Sequence, residues 1–230
     1  YQTVPLDAQF RIHASDYQAE NGGVVIPNPN APTSIGEDLD FVEELLEYNA
    51  DSVVIIDEAY ADFGGVTAVP LISRYENLLV CGTFSKSRSL AGLRLGFAIG
   101  SKTLIGVLEA VKNSYNSYTV DNLSLLCGTA AMEDEAYFEH TVSKVIATRE
   151  RVRGALLKMG FDVPVSRTNF LFATKADASM RDLFEYLKSK KIFIRYFNLP
   201  RVDNYVRITI GTDEEMDAFL KETECFLNGQ

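Results

Sequence analysis

Four short runs, continuously apolar or β-branched, crowd the first hundred residues: Gly23-Val-Val-Ile-Pro27, Ser52-Val-Val-Ile-Ile56, Asn77-Leu-Leu-Val-Cys81 and Leu95-Gly-Phe-Ala-Ile99. None alternates polar with apolar residues, and that pattern belongs to strands covered on both faces of a parallel sheet. Between the first two lies Glu37–Tyr48, with Leu39, Val42, Leu45 and Leu46 at helical spacing. A strand–helix–strand unit with short connections predicts α/β architecture. A further helix is predicted from Leu104 to Lys112, and the stretch Asp121–Met159 reads as two more. The second of these runs from Glu135 to Arg153 with Val142, Val145 and Ile146 in one stripe, and Gly160 stops it. Beyond it come strand candidates at Asn169–Thr174, Ile192–Arg195 and Tyr205–Ile210, with helices at Ser179–Lys188 and Asp213–Phe226. The chain therefore reads as residues 1–133, part of a large domain, and residues 134–230, a smaller α+β domain reached by a long helix. There are no internal repeats and no low-complexity segments.

Composition removes several function classes. A net charge of −10 argues against a nucleic-acid surface, which needs a basic face to displace phosphate counterions. Cys81, Cys127 and Cys225 are widely spaced and odd in number, so a reducing cytoplasm is expected. No apolar run approaches the ~20 residues a membrane helix needs, and no signal peptide is expected. The chain opens without methionine in strand-like sequence, and a piece of a longer protein is expected.

Ligands of open α/β sheets bind at the carboxyl ends of strands, and three loops there carry unusual polar residues. Asn28-Pro-Asn-Ala-Pro-Thr-Ser34 follows the first strand; by itself it reads as a turn. Asp57-Glu-Ala-Tyr60 closes the second strand, where a carboxylate needs a cationic or hydrogen-bonding partner if buried, or simply caps a helix. Thr83-Phe-Ser-Lys-Ser-Arg-Ser-Leu-Ala-Gly-Leu-Arg-Leu-Gly96 gathers hydroxyls, a lysine and an arginine among small residues. Hydroxyls and a guanidinium suit a phosphate, and a lysine suits an aldehyde.

Together, Asn28–Thr33, Ile56-Asp-Glu-Ala-Tyr-Ala-Asp-Phe63, Thr83-Phe-Ser-Lys86, Leu90-Ala-Gly-Leu-Arg-Leu-Gly96 and Arg207-Ile-Thr-Ile-Gly-Thr212 resemble a fold-type I pyridoxal 5′-phosphate-dependent aminotransferase. Within that group the chain is most similar to histidinol-phosphate aminotransferases. The resemblance implies a mainly parallel sheet in a large domain plus a smaller α+β carboxy-terminal domain. It implies that Lys86 holds the cofactor as a Schiff base and carries the proton, that Asp57 pairs with the pyridine nitrogen, and that Tyr60 bonds the ring's phenolic oxygen. Thr83, Ser85 and Arg94 are expected on the cofactor phosphate, Arg207 on the substrate's anionic group, and Arg195 as a second anion contact. By itself Arg207 also reads as a surface ion pair.

The chain departs from the family's Asn-Pro-Asn-Asn-Pro-Thr-Gly loop at Ala31 and Ser34. Asn30 is then expected to reach the cofactor by a shifted path, or Tyr60 acts alone, and Ser34 is expected to avoid a positive-φ backbone. The family's Gly-rich phosphate turn and stacking aromatic lie ahead of the region matched, so weak cofactor retention and little activity are expected of these 230 residues alone. A homodimer is expected, with a small-molecule amino acid or amino-alcohol phosphate and a 2-oxo acid as substrates.

Two relatives share these motifs, an aromatic amino acid aminotransferase and a threonine-phosphate decarboxylase. A cofactor-binding or ligand-sensing module is the non-enzyme alternative. A nicotinamide dehydrogenase is excluded, because no Gly-x-Gly-x-x-Gly turn follows the first strand. His13 and His140 offer no competing mechanism, and Glu133, Glu135 and Glu139 read as a solvated helix face rather than a metal site.

Overall fold

A computed structural model describes residues 1–229. Strands β1 (Val24–Pro27), β2 (Val54–Asp57), β3 (Leu78–Thr83) and β4 (Gly96–Gly100) form one sheet in the order β1-β2-β3-β4. The first three run parallel, with Val24 opposite Val54 and Val54 opposite Leu78. The fourth, β4, pairs antiparallel with β3, Thr83 opposite Gly96, so the sheet is mainly parallel, as expected. The connection between them holds only a 3-10 turn, Ala91–Leu93, whereas a parallel return needs a crossover element. Gly82 permits this pairing: a Cβ there would stand 2.3 Å from the Phe97 ring.

Helix α1 (Leu39–Tyr48) begins where the Asp38 side chain accepts the Phe41 N–H. Its Phe41, Val42, Leu45 and Leu46 pack over Val24, Ile26, Val54, Ile56, Leu78 and Val80. This covers one face of the sheet. On the other, Val25 is 64% and Phe97 47% exposed, so the expected cover on both faces is absent among the described residues. Helices α2 (Lys102–Tyr115) and α3 (Asn122–Glu133) follow, and α2 buries none of its own residues.

Helix α4 spans Glu135–Lys158, longer than its charge pattern predicts, because Val152 and Leu156 extend the buried stripe past Arg153. Gly160, at φ +83°, turns the chain out of it. The second sheet, β5 (Phe170–Ala173), β6 (Arg195–Tyr196) and β7 (Val206–Thr209), is antiparallel in the order β5-β7-β6. Helices α5 (Met180–Ser189) and α6 (Asp213–Asn228) pack on it with α4 around Leu156, Leu171, Met180, Leu183, Leu187, Val206 and Phe219. β6 lies later than expected: Ile192 and Ile194 pack against this core from outside a strand.

Two arginines stitch the regions together. Arg149, buried on α4, donates from Nη1 to the carbonyls of Phe63 at 2.7 Å and Thr168 at 2.8 Å. Arg167 donates its backbone N–H to Ser34 O at 2.8 Å and its Nη1 to Gly64 O at 2.9 Å. No helix among the described residues is long and apolar enough to cross a membrane. Cys81, Cys127 and Cys225 are free thiols.

Candidate active site

The three polar loops meet at one edge of the first sheet. Asn28 N–H donates to Asp57 O and Glu58 N–H to Cys81 O, at 2.9 and 2.8 Å, so the ends of β1, β2 and β3 are in register there. The loop after β1 is closed by Ser34 N–H to Asn30 O at 2.9 Å and Asn30 N–H to Ile35 O at 2.8 Å. Asn28 is buried and its amide brackets the backbone of Glu37 from both sides. The Asn30 amide donates to Thr33 Oγ1 at 2.8 Å, within the loop.

Ser34 overturns one expectation: it adopts φ +65°, fully buried, with no partner for its Oγ. Closing this turn on Asn30 while presenting Ser34 O to Arg167 requires the left-handed backbone, a conformation that costs a non-glycine residue about 1–2 kcal/mol.

Asp57 is a second correction. β2 is buried through Ile56, but the Asp57 side chain is exposed beyond the strand tip, where Oδ1 accepts only the Ala59 N–H at 2.9 Å. No buried charge therefore has to be cancelled there. Glu58, its neighbour, turns inward and accepts the Ala68 N–H at 2.6 Å. Burial pushes the Glu58 carboxyl above its ordinary value, with the charge of Asp62 adding to the shift and bonds from Ala68 and Thr67 opposing it.

Tyr60 is the hub. The Lys86 ammonium lies 5.2 Å from the centre of its ring. The same ring meets Phe170 edge-to-face at 5.2 Å. Phe170 in turn carries the Arg207 guanidinium over its face at 5.0 Å. Arg207 Nε is buried with no hydrogen-bond partner, and Arg207 has no ion pair among the described residues, so it is not the surface pair its bare sequence allows. Arg195 stands directly opposite Arg207 in the β6–β7 ladder, exposed, with its guanidinium 5.6 Å from the Phe197 ring.

In the third loop, Thr83 Oγ1 accepts the Ser85 N–H at 3.1 Å, which fixes both hydroxyl-bearing residues. Arg94 sits at φ +54° with Nη1 on Ala91 O at 2.8 Å and the rest of its guanidinium exposed. A cleft of about 450 Å³ lined by Glu58, Asp62, Gly64, Thr83 and Phe97 lies beside these loops. The larger one, about 590 Å³, opens far away around Glu47, Arg74 and Tyr75.

The structure places Lys86 beside Tyr60 and sets Phe170, which the sequence did not single out, between Tyr60 and Arg207. A phenylalanine in the apolar run Phe170-Leu-Phe-Ala173 reads as core, and nothing in its spacing marks it otherwise. His140 is exposed on α4, and His13 bonds Asp7 at 2.9 Å. No metal-binding cluster occurs among the described residues.

The family model for aminotransferase class I and II matches residues 2–222. A histidinol-phosphate aminotransferase from Acinetobacter baumannii (strain SDF) is 52% identical over 212 residues, 92% of this chain and 59% of that protein. Histidinol-phosphate aminotransferase 1 from Hydrogenovibrio crunogenus is 51% identical over 94% of this chain and 60% of its own length. The crystal structure of the histidinol-phosphate aminotransferase from Clostridium acetobutylicum superposes with a TM-score of 0.89 at 23% identity, covering 98% of this chain and 70% of that one. The chain thus spans about 60% of the length of the sequence relatives it matches.

Proposed function

The chain belongs to the class I and II aminotransferases, and on that premise we propose that its protein uses pyridoxal 5′-phosphate to move an amino group between glutamate/2-oxoglutarate and histidinol phosphate/imidazole acetol phosphate. The observation that carries this reading is the row Lys86, Tyr60, Phe170, Arg207, which links an amine to an anion-binding guanidinium through two aromatic rings. The identity of about half to histidinol-phosphate aminotransferases supports the choice of substrate.

The residues fit the cofactor. Lys86 offers an exposed amine and Asp57 an exposed carboxylate with one N–H partner. Arg94 has unspent donors, and the orphaned Nε of Arg207 lacks an acceptor that an anionic ligand supplies. When bound, pyridoxal 5′-phosphate supplies an aldehyde that condenses with amines and a pyridinium ring that stabilises negative charge at the substrate α-carbon. With the cofactor bound, the Lys86 amine would be placed to take the proton from the substrate α-carbon and to return it to the cofactor carbon that receives the amino group. Asp57 would pair with the ring nitrogen and keep it protonated, and Tyr60 would donate from its hydroxyl to the ring's oxygen, with Asn30 as a further contact there. Thr83, Ser85 and Arg94 grip the phosphate, Arg94 with planar charge-assisted donors. Arg207 binds the substrate's carboxylate or phosphate, assisted by Arg195.

Residues 1–133 belong, in this reading, to the large cofactor-binding domain and 134–230 to the small domain. The working enzyme is a cytoplasmic homodimer.

The test is a set of single-turnover half-reactions with histidinol phosphate, phenylalanine and threonine phosphate on the full-length protein. Borohydride reduction and peptide mapping follow. Histidinol phosphate is expected to react fastest and the reduced cofactor to map to Lys86, while Lys86→Ala lowers turnover by about 10³-fold or more, the scale of lost proton transfer. Faster reaction with phenylalanine, carbon dioxide release from threonine phosphate, or an adduct on another lysine overturns the assignment.

A further inference from the structure

Lys86 sits at the start of a tight turn: its carbonyl accepts the Ser89 N–H at 3.1 Å, while Leu90 N–H donates to Phe84 O at 2.9 Å. The two residues after it are then anchored in opposite directions. Ser87 is buried, and its hydroxyl donates to Asp62 Oδ2, a carboxylate in the 3-10 turn Ala61–Phe63 that follows Tyr60 directly. Arg88 points the other way, donating to Ala131 O near the end of α3, with its guanidinium 4.0 Å from the centre of the Phe138 ring on α4. None of these groups belongs to the donor set that holds cofactor or substrate.

The geometry points to Asp62 as a positioning residue for Lys86, acting through Ser87. A lysine amine reaches only as far as its own Cα allows, and Ser87 is the next residue in the chain. Holding its hydroxyl on Asp62 ties the turn that carries Lys86 to the turn that carries Tyr60. That tie sets the 5.2 Å between the amine and the ring face. The alternative is unfavourable for the loop, since a buried hydroxyl without an acceptor loses its hydration and gains nothing. Arg88 keeps the loop from following Ser87 inward, because its two contacts brace the opposite wall.

This inference rests on the role proposed for Lys86, and the experiment separates the two. It uses the full-length protein with Ser87→Ala, Asp62→Ala, the double variant and Asp62→Asn. In cofactor-free protein, the pH dependence of acetic anhydride labelling at Lys86 is read by peptide mapping. In protein loaded with pyridoxal 5′-phosphate, the absorbance is titrated with pH and the rate of borohydride fixation at Lys86 is measured, with kcat and KM alongside.

Each single alanine variant is expected to shift the labelling profile and to lower fixation and kcat by about tenfold, the scale of a lost hydrogen bond to a charged group, while KM for the amino donor holds. The double variant should be no worse than the worse single, since both remove one contact. Asp62→Asn keeps an acceptor for Ser87 and should recover most of the loss. Unchanged labelling and titration in both single variants, or losses that add in the double, overturn the inference and leave a loop stitch that serves the fold alone. Absence of an adduct at Lys86 in the unsubstituted protein sinks the proposed function itself, and this inference with it.

Discussion

The two sheets are closed to very different degrees. Around the antiparallel sheet, α4, α5 and α6 seal Val152, Leu156, Leu171, Leu183 and Val206 from solvent completely. Around the parallel strands α1, with Ala14, Ala68 and Leu71 beside it, closes one face, while Val25 and Phe97 stay exposed on the other, Val107 and Val111 point outward from α2, and Leu123 and Leu126 from α3. Yet the open region carries Lys86, Asp57, Tyr60, Thr83, Ser85, Arg94 and Asn30, and the closed one contributes Arg207, Arg195 and the spacer Phe170. Both regions have a buried core, but only the open one presents its polar loops beside apolar surface of the kind that marks a contact with another body.

The sharpest test of that contrast is a pair of truncations. Leu171→Ala, in β5, is expected to destabilise by about 2–5 kcal/mol, transfer and cavity together. Leu126→Ala, on the outward side of α3, is expected to change stability by no more than about 0.5 kcal/mol. Urea midpoints of the two variants measure both. A large loss at Leu126 breaks the comparison, because it means that the α3 face is covered in solution.

Next in size is the link between the regions. Arg149→Met keeps the length of the side chain but leaves the Phe63 and Thr168 carbonyls without their donor. Each unmatched buried group costs about 1–3 kcal/mol, and limited water entry holds the expected loss to about 2–3 kcal/mol. The informative readout is the shape of the transition. If Arg149 couples the two regions, a single unfolding curve in the native protein splits in the variant, with the open region melting first. A loss of stability with one sharp transition retained shows that the coupling lies elsewhere.

How far the sequence carried depends on the range of the forces involved. The strands of the first sheet were legible because each apolar run is local, and so was the stop at Gly160, though not the reach of α4 to Lys158. The direction of β4 was not: Leu95-Gly-Phe-Ala-Ile99 looks like its three predecessors, and only the short return from Thr83 decides the pairing. The three loops were legible because strand ends in such sheets are where polar residues gather. Ser34 misled because its left-handed backbone goes with a turn that Asn30 closes locally and that Arg167, 133 residues away, holds from outside the loop. Arg149 and Phe170 act through contacts 86 and about 110 residues away in sequence, and no pattern within α4 or β5 announces them.

The smallest expected effect is a difference in sign between the regions as pH changes. In the open region, burial raises the Glu58 carboxyl above its ordinary value of 4.5, helped by the charge of Asp62. The folded state then holds that proton more tightly than the unfolded chain does. Its contribution to stability is fully present below the ordinary value and is lost as pH rises through the raised one. In the closed region, bonds from Arg151 and Thr148 lower Asp213, so its contribution is present above the ordinary value and is lost as pH falls through the lowered one. Glu58→Gln keeps an acceptor for the Ala68 N–H and should flatten the first slope alone, while Asp213→Asn should flatten the second alone. Urea midpoints between about pH 3 and pH 7, spanning ordinary carboxylate values, separate the two. If Glu58→Gln leaves the slope above pH 4.5 untouched, the carboxylate is solvated in the folded protein, and the turn after β2 is as open as the sheet face beside it.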